Sequence, residues 1–205
     1  MLDHLVNKQI HPVLEFLARQ LVAWRIRPDQ LTLVGFIVGM LSLPLLAMQH
    51  YVFALVVLLV NRVCDGMDGA LARVTTSSDR GGYLDITLDF IFYGCFVLGF
   101  ALANPAANSL MASVLLVSFL GTASSFLAYA IMVEKHQLAT YRLPGKSFYY
   151  MGRGVEGTET VLMFVLFCLF PSCFPVLAAI FSGLCFLTTI SRIVFAYKTL
   201  KAVGA

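Results

Sequence analysis

Three long stretches of this chain contain no charged side chain. Residues 30–61, 90–133 and 160–191 include no Lys, Arg, Asp or Glu. Each stretch has roughly 30 to 45 residues, about twice the ~20 residues that cross a bilayer as one helix. Each is interrupted near its middle by polar or turn-forming residues, at 49–50, 104–108 and 171–172. The pattern predicts three helical hairpins, and therefore six transmembrane helices, at about 31–49, 51–74, 82–103, 108–134, 155–170 and 174–198.

The charged residues all fall on one side of this arrangement. The 14 Lys and Arg and the 11 Asp and Glu lie in the terminal segments, in the connections between hairpins and at the ends of the spans that face those connections. Because positively charged loops stay in the cytoplasm, this side and both termini are predicted to be cytoplasmic. Composition agrees with lipid as the solvent, since 12% of the residues are charged against about 25% in a typical soluble domain.

The N-terminal residues have a different pattern, in which apolar and charged positions alternate with a helical period. Leu14 and Leu21 would lie on one face, with Arg19 on the other. Such a segment is typical of an amphipathic helix in the membrane interface. We therefore predict an all-α, polytopic membrane protein, with an amphipathic juxtamembrane helix and linker over residues 1–30 and a six-helix transmembrane domain over residues 31–205.

Four aspartates lie where the second and third predicted spans reach the cytoplasmic side. Asp65 and Asp68 are three residues apart, and Asp85 and Asp89 are four apart, so each pair shares one face of its helix. A short loop at about 74–80 makes the two helices antiparallel neighbours. Four carboxylates can therefore converge at one end of the bundle.

Carboxylates so close to hydrocarbon are costly unless cations pair with them. Arg62, Arg73 and Arg80 are near in sequence, but divalent cations satisfy the electrostatics better. Ligands that are all oxygen atoms favour Mg²⁺, Mn²⁺ or Ca²⁺ over Zn²⁺. Two such ions can clamp a phosphoryl or pyrophosphoryl group. Small residues between the acids would let a bulky ligand approach the backbone, although they also mark tight helix packing in membranes.

The same residues match the signature of a known family. The pattern D-x2-D-G-x2-A-R followed by G-x3-D-x3-D resembles that of the CDP-alcohol phosphotransferases, also called CDP-alcohol phosphatidyltransferases. Every fixed position is filled, by Asp65, Asp68, Gly69, Ala72, Arg73, Gly81, Asp85 and Asp89. The loop from Arg73 to Gly81 is slightly shorter than in the family. Six spans with internal termini are also similar to the family's small bacterial inner-membrane members.

The resemblance implies a reaction of phospholipid biosynthesis. Such enzymes cleave the pyrophosphate of a CDP-linked alcohol, release CMP and transfer the substituted phosphate to a second alcohol, using Mg²⁺ or Mn²⁺, here expected as two ions. It implies that Asp65, Asp68, Asp85 and Asp89 contact metal, and that Asp89 is also the general base for the acceptor hydroxyl. The nucleotide would contact Thr32, Asp65, Gly69, Ala72, Arg73 and Gly81. Thr32 belongs to a segment resembling the family's P-N-x-L-T, in which Asp29 replaces the Asn.

The resemblance further implies CDP-diacylglycerol as donor, a small water-soluble acceptor and a homodimer. We expect the acceptor to be glycerol 3-phosphate or another phosphorylated polyol, with inositol or serine as alternatives. The cations available for its phosphate are Lys135, Arg142, Lys146, Arg153 and Arg192. Arg192 lies inside the sixth predicted span, where an arginine is a functional candidate. Each of these could instead be an ordinary cytoplasmic charge that reaches towards lipid headgroups.

Glu156 and Glu159 form a second acidic pair, at the start of the fifth predicted span. Acids at a helix N-terminus are favoured by the helix dipole, which is one explanation. The other is hydrogen bonding to the hydroxyls or amine of the acceptor.

Two other classes of protein are open to a chain of this kind. One is a carrier whose aspartates bind a translocated cation, and the other is a non-catalytic lipid-binding membrane protein. Transporters usually bind substrate near the bilayer midplane, whereas these acids cluster at one end. The complete signature favours an enzyme over both, and no nucleic-acid partner is expected.

Overall fold

The computed structural model describes residue 14 and residues 18–24, 26–137 and 154–202. Within those ranges every regular element is a helix and no strand occurs. The helices are α1 (Pro28–Met40), α2 (Ser42–Ala47), α3 (Tyr51–Val74), α4 (Asp79–Ala103), α5 (Pro105–Lys135), α6 (Gly157–Leu169) and α7 (Phe174–Ala202), with a 3₁₀ turn at Pro171–Cys173 before α7. The predicted all-α class is confirmed for this part of the chain.

Four segments are long and apolar enough to cross a membrane, namely Pro28–Ala47, Asp79–Ala103, Pro105–Lys135 and Pro171–Lys201. Helix α3 has 24 residues, but every 18-residue window in it contains Arg62, Asp65 and Asp68. Helix α6 is apolar but has only 13 residues. A helix therefore occurs at each predicted span, and the crossing of the membrane by all six stays a prediction.

Most of the predicted amphipathic helix, residues 1–13, 15–17 and 25, lies outside the described residues. Among the described residues, Leu14 and residues 18–23 are helical. Ala18 is fully buried there and packs in one apolar cluster with Ala70 and Leu71 of α3. This segment therefore rests on the same end of α3 that carries the acidic residues.

The ends of the first helices differ from the predicted bounds for local reasons. Helix α1 begins at Pro28, because proline is favoured in the first turn, where its missing N–H has no helical partner. The helix is interrupted at Leu41, three residues before Pro44, whose ring obstructs the carbonyl four positions earlier. Helix α4 begins at Asp79, earlier than predicted, because the Ser78 side chain accepts a hydrogen bond from the Gly81 N–H at 3.0 Å.

A stack of phenylalanines holds α4 at the centre of the bundle. Phe96 stacks on Phe164 of α6 with ring centroids 4.4 Å apart, and Phe100 stacks on Phe174 of α7 at 4.7 Å. All four rings are fully buried, and offset or stacked aromatic pairs stabilise beyond the area they bury. Helix α4 is thereby fixed in rotation against α6 and α7.

The same face of α4 carries the acidic residues. Asp85, Asp89, Phe92, Phe96 and Phe100 follow one another at spacings of three or four residues, so they form one stripe along the helix. Because the phenylalanine end of this stripe is locked into the core, its aspartate end is directed towards the neighbouring helix α3. Packing in the apolar core therefore positions the polar site.

Candidate active site

The site lies between the C-terminal half of α3 and the N-terminal half of α4. These segments are joined by the short connection from Thr75 to Ser78. Oxygen atoms of Asp65, Asp68 and Asp85 all lie within 4.8 Å of one another. Three carboxylate oxygens at this separation are a suitable partial ligand set for Mg²⁺ or Mn²⁺, which prefer oxygen ligands. The residues present therefore fit a divalent cation.

Asp68 is the most deeply placed of the three carboxylates. Its residue is 6% exposed, and its Oδ2 accepts a hydrogen bond from the Thr32 hydroxyl at 2.6 Å. The same hydroxyl lies 3.1 Å from the Pro28 carbonyl oxygen on its own helix. The family resemblance predicts that Thr32 contacts nucleotide, and the structure places its hydroxyl against a candidate metal ligand.

Asp89 is held apart from this three-carboxylate group. Its Oδ1 lies 2.6 Å from Nη2 of Arg62, and its Oδ2 lies 3.3 Å from Nη1. Asp89 nevertheless lines the same pocket as the other three acids. The convergence of four carboxylates predicted from sequence is therefore observed, whereas direct contact of Asp89 with a metal stays a prediction.

The pocket is lined by eleven residues from α1, α3 and α4: Thr32, Gly35, Phe36, Asn61, Arg62, Asp65, Asp68, Asp85, Leu88, Asp89 and Phe92. The sequence interpretation assigns Asn61 no role and gives Arg62 only as a nearby cation. Their spacing could have indicated that they belong to the site. They lie four and three positions before Asp65 and therefore share its side of α3.

Several predicted nucleotide contacts lie outside this pocket lining. Gly69, Ala72 and Arg73 occupy the last turns of α3, beyond the acids. Packing explains why residue 81 is a glycine, because a Cβ atom there would lie 2.9 Å from Oδ1 of Asp29. Asp29 in turn accepts two hydrogen bonds from Arg80, at 2.5 and 3.1 Å. Glycine at position 81 therefore lets the start of α1 approach the start of α4.

A model of the CDP-alcohol phosphatidyltransferase family matches residues 25–190. The chain belongs to that family. As a family member it is a transferase that uses a CDP-linked alcohol, which confirms the class predicted from the signature.

Two curated proteins are similar to the chain in sequence. The inner membrane protein YnjF of Escherichia coli (strain K12) is 51% identical over 203 residues, which are 99% of this chain and 98% of YnjF. The archaetidylinositol phosphate synthase of Pyrococcus horikoshii is 32% identical over 100 residues, which are 48% of this chain and 53% of that protein.

The fold is also similar to solved structures of the phosphatidylinositol phosphate synthase PgsA1 of Mycobacterium tuberculosis. The complex with CDP-DAG has a TM-score of 0.66 and 19% identity, and covers 91% of this chain and 94% of that one. The complex with manganese and citrate has a TM-score of 0.67 and 18% identity, and covers 90% and 88%. At these identities the likeness concerns the fold alone.

Two of the five basic residues that were predicted to bind the acceptor phosphate, Lys135 and Arg192, are among the described residues. Arg142, Lys146 and Arg153 lie outside the described residues, and Lys135 is exposed at the end of α5. Arg192 is half-buried on α7, where its Nη1 donates to the Thr122 carbonyl oxygen of α5 at 3.1 Å and its guanidinium lies 5.8 Å from the Phe126 ring. Its buried Nε makes no hydrogen bond to the part of the chain that is described.

Glu156 and Glu159 form a capping box at the start of α6. The Glu156 side chain accepts a hydrogen bond from the backbone of Glu159, and Oε2 of Glu159 accepts one from the Glu156 N–H at 3.1 Å. This pairing satisfies N–H groups that a helix start leaves open, and it supports the structural explanation for the pair. Gly157 lies next to the Tyr93 hydroxyl, so the start of α6 borders the polar network around Arg62.

Proposed function

We propose that this transferase moves a phosphatidyl group from CDP-diacylglycerol to a small phosphorylated polyol and releases CMP. The observation that carries the proposal is the grouping of Asp65, Asp68 and Asp85, with Asp89 held separately in the same pocket. This arrangement divides the four acids into a cation-binding group and one further carboxylate. The CDP-DAG bound to PgsA1, whose fold is similar, supports the choice of donor.

In this proposal Asp65, Asp68 and Asp85 hold Mg²⁺ or Mn²⁺, and Asp89 completes the ligand set for a second ion. When bound, the divalent cations would neutralise the pyrophosphate and stabilise the CMP leaving group. Within the chain, Thr32 fixes the orientation of Asp68 by its hydrogen bond. The manganese in the second PgsA1 complex supports the choice of metal.

Asp89 is the proposed general base. The acceptor oxygen would attack the phosphorus that carries the diacylglycerol group, and its proton would pass to Asp89. A new phosphorus–oxygen bond forms, the bond to the bridging oxygen breaks, and CMP leaves with that bridging oxygen. A carboxylate needs mainly to be placed within hydrogen-bond reach of the acceptor hydroxyl to do this. Gly69, Ala72, Arg73 and Gly81 remain the proposed contacts of the cytidine part.

A phosphorylated acceptor is favoured by Arg192. A half-buried guanidinium whose Nε has no partner among the described residues is a strong candidate for binding phosphate, which accepts charge-assisted hydrogen bonds. Lys135, Arg142, Lys146 and Arg153 would assist from the same side, and Glu156 and Glu159 would border the polyol. Two similar proteins are named as an archaetidylinositol phosphate synthase and a phosphatidylinositol phosphate synthase. These names support an inositol phosphate as a candidate acceptor, in addition to glycerol 3-phosphate.

The proposal also includes location and assembly. We place the site and both termini on the cytoplasmic side of a bacterial inner membrane, on the basis of charge distribution and of the name of the relative YnjF. A homodimer is proposed from the family resemblance.

The test is CMP release by purified protein in detergent, supplied with CDP-diacylglycerol and Mg²⁺ or Mn²⁺, with EDTA as the metal-free control. The acceptors compared are glycerol 3-phosphate, inositol 1-phosphate, inositol and serine. Metal-dependent release with one of the phosphorylated acceptors is the expected result. Release with inositol or serine alone would refute the phosphorylated acceptor. No release with any acceptor would refute the proposed reaction.

A further inference from the structure

The residues that lead into α6, 154–157, are fastened to α7 by a threonine; they are called the α6 entry below. The Thr188 hydroxyl accepts a hydrogen bond from the Val155 N–H at 3.0 Å and donates its own proton to the Leu184 carbonyl oxygen of α7 at 2.9 Å. Thr188 is only 5% exposed. A backbone N–H that leaves water needs a partner, and a partner on another helix also fixes where the segment lies.

A close approach of the backbone at Gly154 supports the same contact. A Cβ atom at this position would overlap Cγ2 of Thr188 and would lie 3.0 Å from its Oγ1. Glycine is favoured where a backbone must come so near to another group, and a larger residue would push the α6 entry away from α7. One hydrogen bond and one packing contact therefore hold the α6 entry at a single place on α7.

That place is next to the proposed phosphate-binding cation. Arg192 lies one helical turn beyond Thr188, on the same side of α7. Its Nη1 donates to the Thr122 carbonyl oxygen of α5 at 3.1 Å, and the Glu156 carboxylate of the α6 entry interacts with it electrostatically. The threonine that fixes the α6 entry on α7 therefore fixes it relative to Arg192.

The other end of the α6 entry adjoins the helix that carries the proposed base. A Cβ atom on Gly157 would lie 3.9 Å from the Tyr93 hydroxyl oxygen, and Tyr93 follows Asp89 by one turn on α4. In the proposed reaction the acceptor has its phosphate at Arg192 and its attacking hydroxyl at Asp89. The α6 entry borders both places, so its position affects which acceptor fits between them.

We propose that Thr188 is a positioning residue for the acceptor, which holds the α6 entry at a fixed distance from Arg192. This inference rests on the acceptor site of the proposed function. In this role Thr188 acts through the Val155 N–H and does not touch the substrate. Loss of its hydroxyl weakens binding of the phosphorylated acceptor and leaves the CDP-lipid and the acidic pocket unaffected.

The experiment compares Thr188→Val and Thr188→Ser in full-length protein in detergent. Valine keeps the shape of the side chain but neither accepts nor donates, whereas serine does both. A hydrogen bond between uncharged groups corresponds to about a two- to tenfold change in an equilibrium constant. We expect Thr188→Val to raise KM for the phosphorylated acceptor by about three- to tenfold, with kcat and the KM for CDP-diacylglycerol unchanged. Thr188→Ser should keep the KM values of the parent protein.

Two further variants show whether the contact with the α6 entry is responsible. Thr189→Val is the matched control, because the Thr189 hydroxyl donates to the Cys185 carbonyl oxygen of its own helix at 3.0 Å and the side chain contacts Gly121 of α5. Its acceptor KM should equal that of the parent. Gly154→Ala disturbs the contact from the other side and should raise the acceptor KM as Thr188→Val does. A rise in Thr189→Val equal to that in Thr188→Val would overturn the proposal.

Hydrogen exchange measures the contact without reference to activity. In peptides that cover the α6 entry, the Val155 amide should exchange faster in Thr188→Val than in the parent, because its partner is lost. Thr188→Ser and Thr189→Val should exchange like the parent. Equal exchange in Thr188→Val and the parent would refute the role given to this hydrogen bond.

A double-mutant cycle tests the connection to Arg192. In an Arg192→Gln background, Thr188→Val should raise the acceptor KM by a smaller factor, because both residues act on the same bound phosphate. Equal factors in the two backgrounds would mean that Thr188 acts independently of Arg192, and the proposal would be wrong. A fall in kcat or a rise in the donor KM in Thr188→Val alone would also overturn it, because the effect would then not be confined to the acceptor.

The test stays decisive if a variant or the reaction fails. If Thr188→Val does not purify as a folded protein, Gly154→Ala replaces it, and an unchanged acceptor KM there refutes the proposal. If the parent protein releases no CMP, the proposed function fails, and calorimetric titration with glycerol 3-phosphate and inositol 1-phosphate replaces KM. Weaker binding in Thr188→Val than in Thr188→Ser would then support the positioning role. Equal binding in both, or no binding by the parent, would refute it.

Discussion

Replacing Thr32 by valine removes the hydroxyl that binds Asp68 and keeps the shape of the side chain. The bond is short, at 2.6 Å, and its acceptor is a carboxylate that is almost fully buried. A hydrogen bond to a charged group contributes about 1.5–3 kcal/mol, which corresponds to about a 10- to 150-fold change in an equilibrium constant. Because the hydroxyl proton is shared with the Pro28 carbonyl oxygen, the lower end of this range applies.

We therefore expect Thr32→Val to weaken Mn²⁺ binding by about tenfold, in line with the effect of other residues that orient metal ligands. The measurement is a calorimetric titration of metal-free protein with Mn²⁺. Thr87→Val is the matched control, since the Thr87 hydroxyl donates to the Tyr83 carbonyl oxygen of its own helix, at 2.8 Å, and does not line the pocket, so Mn²⁺ affinity should not change.

An unchanged Kd for Mn²⁺ in Thr32→Val would refute this account of Asp68. If the same variant instead bound cytidine nucleotide more weakly, Thr32 would be a nucleotide contact, as the family resemblance implies. The two titrations therefore separate the two roles of one side chain.

Three further predictions concern the base, the helix packing and the acceptor. Asp89→Asn should abolish CMP release while cytidine nucleotide binding persists, as equilibrium binding would show. Gly39→Ala should lower stability by about 1–3 kcal/mol, as expected for overpacking, because its Cβ atom would meet an α3 side-chain amide at 2.7 Å; Gly82→Ala, with open space around it, should not. Arg192→Gln should raise KM for the phosphorylated acceptor and leave KM for the CDP-lipid unchanged, whereas Lys198→Gln, on the exposed side of α7, should alter neither.

Each of these has an outcome that contradicts it. Normal turnover in Asp89→Asn would remove the base from the mechanism. A thermal melting temperature of Gly39→Ala equal to that of Gly82→Ala would mean that α1 can move away from α3 at no cost. Equal KM changes for both substrates in Arg192→Gln would point to a general loss of structure.

The grouping of the carboxylates could be predicted from sequence because it depends on local geometry. Asp65 and Asp68 share a face of α3, and Asp85 and Asp89 share a face of α4, whatever the rest of the chain does. A short connection then makes the two helices neighbours. The complete family signature added the reaction class, which spacing alone does not provide.

The pairing of Asp89 with Arg62 could not be predicted in the same way. It depends on which rotamer Arg62 adopts, and this is decided by Tyr93 on another helix and by the buried amide of Asn61. Contacts of this kind arise only once α1, α3 and α4 are packed. The role of Gly81 was likewise hidden, since its close contact is with Asp29, fifty-two residues earlier in the chain.

The stripe of aspartates and phenylalanines on α4 would also set the depth at which the proposed reaction takes place in the membrane. Ala103, at the far end of the helix, lies fourteen positions after Asp89, which is a rise of about 21 Å along the axis. With Ala103 at the far boundary of a hydrocarbon layer about 30 Å thick and the helix upright, Asp89 lies ~9 Å below the opposite boundary. A lipid donor could then react without being lifted out of its leaflet, and the water-soluble acceptor would have to descend to meet it.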